Sequence, residues 1–291
     1  MSRCYAFRTV DVFTDVRFGG NQLAVFTDAE GLSDAEMQAL AAEMNLSETS
    51  FVLPPADPAN DARVRIFNRT AEMPFAGHPN VGTAYVLAQL RPGRDRFRFE
   101  ELAGLVEVRL DAAGGAEVDA PQPLSLLGEV PPVTVARALG LNAADVLITA
   151  HPPVRASVGV EFVLAEVSEE ALARAAPDLA GFRQGAAEAA SDADRFSIFF
   201  YCRPASGPLR ARMFAPLSGT WEDPATGGAN VALAALRLSL SSDPELSYEV
   251  LQGVEMGRSS RLSVRAWRDG DGIRAAVGGR CVPVLEGAAT L

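Results

Sequence analysis

Two linked patterns recur in this chain, and together they constrain its fold more than any single segment does. Arg63-Val64-Arg65-Ile66-Phe67 returns as Arg210-Ala211-Arg212-Met213-Phe214, an R-x-R-x-F pattern. His78-Pro79-Asn80-Val81-Gly82-Thr83-Ala84 is matched by Asp223-Pro224-Ala225-Thr226-Gly227-Gly228-Ala229, an H/D-P-x-x-G-x-A pattern followed in both places by an apolar, helix-like segment. The first pattern precedes the second by 15 residues in one half and by 13 in the other. Matches of Ala and Gly alone are weak, but two linked matches in the same order point to an internal duplication. The expected architecture is two similar α+β domains facing each other, and 291 residues suffice for both.

The intervening segments fit that frame. Residues 5–13 are β-rich, and after a turn at Gly19-Gly20-Asn21 the run Leu23-Ala24-Val25-Phe26 predicts a second, antiparallel strand. Ser33-Asp34-Ala35-Glu36 has the form of a capping box, and Met37, Leu40, Ala41 and Met44 follow at helical spacing, so a helix should end near Asn45. Strands are expected over 49–53 and 63–67, and a helix apolar all round, hence buried, over 80–90. Residues 97–120 predict two or three strands turning at Gly114-Gly115. The prolines of Pro121-Gln122-Pro123 and Pro131-Pro132 mark the boundary, giving domains at 1–122 and 123–276, with a last strand at about 277–291 returning to the first domain. In the second half, 161–167 and 196–202 read as strands and 169–176 as a helix.

Composition removes several chemistries. All 26 basic residues are Arg, so Schiff-base, P-loop and lysine-nucleophile mechanisms are excluded. A net charge of −11 disfavours nucleic acid as a partner, and no apolar run approaches the roughly 18 residues of a membrane span. Two histidines and the scattered Cys4, Cys202 and Cys281, without C-x-x-C or H-E-x-x-H, leave no expected metal site. The first residues lack a signal-peptide pattern, so reduced thiols and a cytoplasmic location are expected.

Proline is tolerated at the first position of a helix, so both H/D-P-x-x-G blocks read as strand, turn and helix N-terminus. Such a terminus offers amides and partial positive charge to a carboxylate and favours an enolate-like intermediate. His78 and Asp223 are therefore candidates, together with Gly77, Gly227 and Gly228 as close-approach backbone. Glu48 sits in the connection between the first helix and the next strand, a usual place for a catalytic residue. Arg63, Arg65, Arg210 and Arg212 are expected on solvated strand faces, Trp221 either in a cleft wall or in the core, and His151 has no assigned role.

The motif set resembles the PhzF family, the phenazine-biosynthesis-like isomerases related in fold to diaminopimelate epimerase and proline racemase. The resemblance rests on Asp11-Val12-Phe13, Gly20-Asn21-Gln22-Leu23-Ala24-Val25, Glu43-Met44-Asn45-Leu46-Ser47-Glu48-Thr49 and Pro74-Phe75-Ala76-Gly77-His78-Pro79. In the second half it continues through Arg212-Met213-Phe214-Ala215-Pro216, Glu222-Asp223-Pro224-Ala225-Thr226-Gly227 and Leu251-Gln252-Gly253-Val254-Glu255-Met256-Gly257-Arg258. It implies two pseudo-symmetric domains of diaminopimelate epimerase-like fold, each a barrel-like sheet around a central helix, with the site in the interdomain cleft. It further implies a homodimer and cofactor-independent isomerisation of a small anionic metabolite, with Glu48 as general acid/base and His78 and Asp223 binding substrate. The two cysteines of the epimerases are replaced here by Gly77-His78 and Thr226-Gly227, which disfavours two-cysteine stereoinversion. Gly228 stands where the phenazine enzyme has a serine, so the family reaction type transfers and its substrate does not. A lyase or dehydratase at the same site, and a non-catalytic metabolite-binding protein, are the alternatives.

Overall fold

In the computed structural model, residues 2–112, 114–189 and 196–291 are described. They divide into two compact units, one of residues up to Pro121 together with Ala276–Leu291, the other Gln122–Ala275.

The first unit is built from β1 (Cys4–Val12), β2 (Asn21–Phe26), α1 (Asp34–Met44), β3 (Glu48–Leu53), β4 (Ala62–Phe67), the short β5 (Glu72–Met73), α2 (Gly77–Leu90), β6 (Arg96–Glu101), β7 (Gly104–Leu110) and β8 (Gly115–Asp119). The final strand of the chain, Gly272–Thr290, joins β8 through Ala276 to Arg280 and β1 through Cys281 to Thr290. Around the ring, β1 pairs antiparallel with β2, β2 parallel with β3, β3 antiparallel with β4, β4 parallel with β6, and β6, β7 and β8 follow antiparallel. Eight strands thus close on themselves, which removes free sheet edges.

Inside this ring lies α2, buried from Gly77 through Ala84 and again at Val86 and Leu87. The all-round apolar character expected of residues 80–90 is therefore that of a helix enclosed by sheet, and the helix begins three residues earlier than expected. Gly82 makes the enclosure possible. A Cβ there would lie 2.5 Å from Leu23 Cδ2 and 2.8 Å from Val12 Cγ2. Gly82→Val is expected to destabilise the protein by about 1 to 3 kcal/mol through overpacking, read as a lowered Tm in thermal unfolding.

Outside the ring, α1 follows its capping box: Glu36 N donates to Ser33 Oγ at 3.3 Å and Ser33 N to Glu36 Oε2 at 2.8 Å. It ends at Asn45, as expected, and the structure shows that residue in the left-handed region, φ 51°.

The second unit comprises β9 (Ser125–Glu129), α3 (Pro132–Ala138), β10 (Val146–Leu147), β11 (Val154–Ser157), β12 (Glu161–Val167), α4 (Glu169–Arg174), α5 (Leu179–Glu188), β13 (Ile198–Cys202), β14 (Leu209–Phe214), α6 (Gly227–Ser239), β15 (Glu245–Gln252) and β16 (Ser260–Asp269). From β11 to β16 the pairings run antiparallel, parallel, antiparallel, parallel, antiparallel. That is the order found from β1 to β7, with α6 in the place of α2 and the two R-x-R-x-F strands, β4 and β14, as counterparts. The duplication read from the sequence is a duplication of topology.

Of the four arginines of that pattern, Arg63 is exposed as expected, whereas Arg65 and Arg210 are half-buried and Arg212 is buried. Arg212 is buried, stacks 4.8 Å from the Phe214 ring, pairs with Glu222 at 2.8 Å and donates to the carbonyls of Leu172 and Ala175. Arg65 pairs with Glu72 and Asp34, and Arg210 with Glu255. Arg65, Arg210 and Arg212 each pair with an acid, which is why guanidinium rather than apolar groups can line these positions. Trp221 is 57% exposed, so it is not a core residue. Buried His151 sits with Nε2 3.0 Å from the Tyr201 hydroxyl and Nδ1 2.7 Å from the Pro152 carbonyl, a satisfied interior histidine.

Candidate active site

Glu48 is the first residue of β3, fixed opposite Leu23 in the parallel ladder with β2, rather than part of the preceding connection. His78 is the second residue of α2 and is buried. The strand start and the helix start bring Glu48 Oε2 to 3.3 Å from His78 Nε2. Burial pushes the His78 imidazolium down to about 3, opposed in smaller measure by the Gln22 backbone, so the ring is neutral near pH 7. A carboxyl beside a neutral imidazole is a group that can lose and regain a proton.

Two further residues complete this arrangement, and the sequence reading gave neither a role. Asn21 is buried at the start of β2, with Nδ2 3.4 Å from His78 Nδ1 and Oδ1 accepting from the Ser47 hydroxyl at 2.8 Å. Ser47, Asn21, His78 and Glu48 thus form one chain of side chains. Gly20 delivers Asn21 into it: its φ is +63°, and a Cβ would lie 2.3 Å from the Val12 carbonyl oxygen. The Gly-Asn dipeptide is the signal that points to this turn, but its partner Ser47 is 26 residues away in sequence.

In the second unit α6 begins at Gly227, with Thr226 as N-cap. Asp223-Pro224 therefore lies ahead of the helix and not at its first turn, whereas Pro79 is the third residue of α2. The physical equivalence between the halves is Gly77 with Gly227, and it carries Asn80 onto Asn230. Each Asn donates from Nδ2 to the carbonyl four residues back, Asn80 to Ala76 at 3.1 Å and Asn230 to Thr226 at 3.0 Å. The H/D-P-x-x-G alignment is thus out of step with the fold by five residues. The Pro tolerated in the first turn of one helix resembled the Pro that precedes the other.

Asp223 is buried and accepts from the Thr226 hydroxyl at 2.6 Å. Fully buried Gln252, at the end of β15, ties this turn together. Its Nε2 donates to the Asp223 carbonyl and to Thr226 Oγ1, both at 2.9 Å, while its Oε1 accepts from Thr226 N at 3.1 Å and Asn230 Nδ2 at 2.9 Å. Asp223 is thus held by a preformed network rather than capping α6 directly.

At both helix starts the N-cap side chain makes no capping hydrogen bond: Ala76 has no oxygen to offer, and the Thr226 hydroxyl is directed to Asp223. The first-turn amides, including those of Gly77 in one unit and Gly227 and Gly228 in the other, keep the anion-binding capacity of a helix N-terminus. A Cβ on Gly228 would meet the Phe162 ring at 3.3 Å, close enough to need a small ring shift and no more. Gly228→Ser is expected to fold with an unchanged or slightly raised Tm. Thermal unfolding of the variant beside the wild type checks this.

Among the described residues no group of three or more His, Cys, Asp or Glu side chains converges as metal ligands, and no helix is long and apolar enough to cross a membrane.

The profile of the phenazine biosynthesis-like protein family (PhzC-PhzF) matches residues 10–287. An uncharacterized isomerase of Mesorhizobium japonicum is 39% identical over 95% of this chain and 96% of its own. The trans-2,3-dihydro-3-hydroxyanthranilate isomerase of Pseudomonas aeruginosa is 35% identical over 99% of this chain and all of its own length (100%). Among solved structures, a PhzF-family phenazine biosynthesis protein of Bacillus anthracis superposes with a TM-score of 0.88 at 25% identity, covering 99% of this chain and 100% of that one. The match extends through both units and all the motifs described above, and the chain belongs to the phenazine biosynthesis-like (PhzF) family, as an isomerase.

Proposed function

We propose that this isomerase relocates a proton within a small carboxylate-bearing metabolite, with Glu48 as the group that carries it. The observation that supports this most is the 3.3 Å approach of Glu48 Oε2 to a buried, neutral His78 at the first turn of α2. In this reading the Glu48 carboxylate takes a proton from a substrate carbon as that C–H bond breaks. The electron pair is delocalised toward the substrate's unsaturated system as the double bond shifts, and the resulting carboxylic acid returns the proton to a different carbon. The carboxylate is regenerated, so no cofactor or redox partner is consumed. His78 positions the carboxyl.

The name of the Pseudomonas aeruginosa relative specifies a carboxylate on an unsaturated ring, a substrate on which such a shift can occur. That compound is the probe to use first. Conversion to a product of identical mass with a moved double bond is the expected result, read by mass spectrometry and proton NMR. A product lighter by one water would make the enzyme a lyase. Saturable binding without any product, for this probe and for related unsaturated hydroxy and amino acids, would make it a binding protein and overturn the reading.

A further inference from the structure

The dipeptide Asp-Gly occurs twice in this chain, back to back, as Asp269-Gly270-Asp271-Gly272 where β16 turns into the final strand. At Asp-Gly a backbone can rearrange without an enzyme. The glycine nitrogen, with no Cβ beside it, can approach and attack the carboxyl carbon of the aspartate side chain. All four residues are exposed, so water reaches both pairs. The sequence makes the two pairs equivalent, and the fold does not.

At the first pair, Gly270 N donates to Asp269 Oδ1 at 2.7 Å. The carboxyl carbon is one C–O bond of about 1.2 Å from that oxygen, so nitrogen and carbon are held within about 4 Å of each other. An intramolecular reaction is accelerated most where the reacting groups are already held together. The strand end that carries Asp269 is anchored. Arg268 N donates to the Pro244 carbonyl at 3.1 Å, and its guanidinium donates to the carbonyls of Leu238, Ser241 and Asp243. Gly270 itself stands in the open, since a Cβ there would meet nothing within 4 Å.

At the second pair the carboxylate is engaged elsewhere. The Arg274 guanidinium takes both oxygens of Asp271, Nε reaching Oδ1 at 3.2 Å and Nη2 reaching Oδ2. That contact holds the Asp271 carboxyl below its usual range. A carboxylate kept ionised resists ring closure, because its oxygen must be protonated to depart as water.

We propose that Asp269 is a site of spontaneous backbone modification in the folded protein, closing on Gly270 to a succinimide that reopens to isoaspartate, and that Arg274 protects Asp271 from the same reaction. In the first step the bond from Gly270 N to Asp269 Cγ forms while a Cγ–O bond breaks, and the amide proton leaves with the hydroxyl as one water. In the second step one water adds to either ring carbonyl and that carbonyl's C–N bond breaks. Opening at Cγ restores aspartate. Opening at the main-chain carbonyl leaves a chain that runs through Cβ, one atom longer, with the α-carboxylate as its side group. Water is released and taken up again, so the net change is an isomerisation without oxidant or cofactor. The added atom falls outside the β15–β16 ladder, whose last pair is Glu245 with Trp267, so the fold should persist.

The test compares folded full-length protein with a synthetic peptide of residues 264–276, both held near pH 6 for several weeks. Trypsin releases Asp269 to Arg274 with both sites in one fragment. Electron-transfer fragmentation then assigns isoaspartate to one position or the other, and a product lighter by one water is the succinimide. In the peptide the two sites should react at similar rates. In the folded protein Asp269 should convert within a few-fold of its peptide rate and at least about ten-fold faster than Asp271. Gly270→Ala should slow Asp269 about ten-fold or more with Tm unchanged, and Arg274→Gln should bring Asp271 to within a few-fold of its peptide rate. Equal conversion of the two sites in the folded protein would overturn the proposal, as would an Asp269 that reacts ten-fold more slowly there than in the peptide. An Asp271 that stays unreactive in Arg274→Gln would overturn the protective role of Arg274.

Discussion

Replacing Glu48 by Gln is expected to lower kcat by about 10²- to 10⁴-fold while leaving KM within a few-fold, because general acid–base catalysis supplies rate enhancement of that order. The substitution keeps the side chain's shape and its approach to His78, 3.3 Å away, and removes only the capacity to take and return a proton. A loss expressed in KM with kcat preserved would identify Glu48 as a binding residue. Steady-state kinetics with a turned-over substrate, together with a thermal melt to show that the variant is folded, separates the two.

The second large effect falls on stability. Gln252→Leu removes the partner of the Thr226 amide, the Asn230 side chain, the Asp223 carbonyl and the Thr226 hydroxyl at once, all at a fully buried position. At about 1 to 3 kcal/mol for each buried polar group left unsatisfied, and with neighbouring losses less than additive, a cost of about 3 to 5 kcal/mol is expected in denaturant unfolding. Gln252→Glu is a sharper probe of the same network. An ionised carboxylate cannot donate to the Asp223 carbonyl, so this variant should regain stability only as the pH is lowered enough to protonate it.

Much of this is legible in the sequence. The capping box at Ser33 and the helical spacing of Met37, Leu40, Ala41 and Met44 are local, so the sequence specifies both ends of α1. Glu48 and His78 stood out through motifs, and the fold brings their side chains together. The duplication was legible because the R-x-R-x-F strands keep their place in both sheets. Its alignment at the helices was not, because Pro79 inside α2 and Pro224 ahead of α6 obey different rules with the same letters.

What remained hidden depends on contacts far apart in sequence. Gln252 lies 26 residues beyond the Thr226 amide it accepts from, and Asn21 lies 57 before His78. An asparagine or glutamine carries no local signature of such a role. Arg212 was misread for a related reason: an alternating strand pattern specifies which face a residue occupies, but not that the carbonyls of Leu172 and Ala175 and the carboxylate of Glu222 wait there to receive a guanidinium.

The central claim is that Glu48 moves the proton. It is tested most directly by running the reaction in deuterium oxide with wild type and Glu48→Gln side by side and following deuterium at substrate and product carbons by NMR. The wild type is expected to place solvent deuterium on the carbon that gains hydrogen, and Glu48→Gln, folded and still binding substrate, to place essentially none. Deuterium entering at the wild-type rate in the variant would contradict the account and assign the proton transfer to another group.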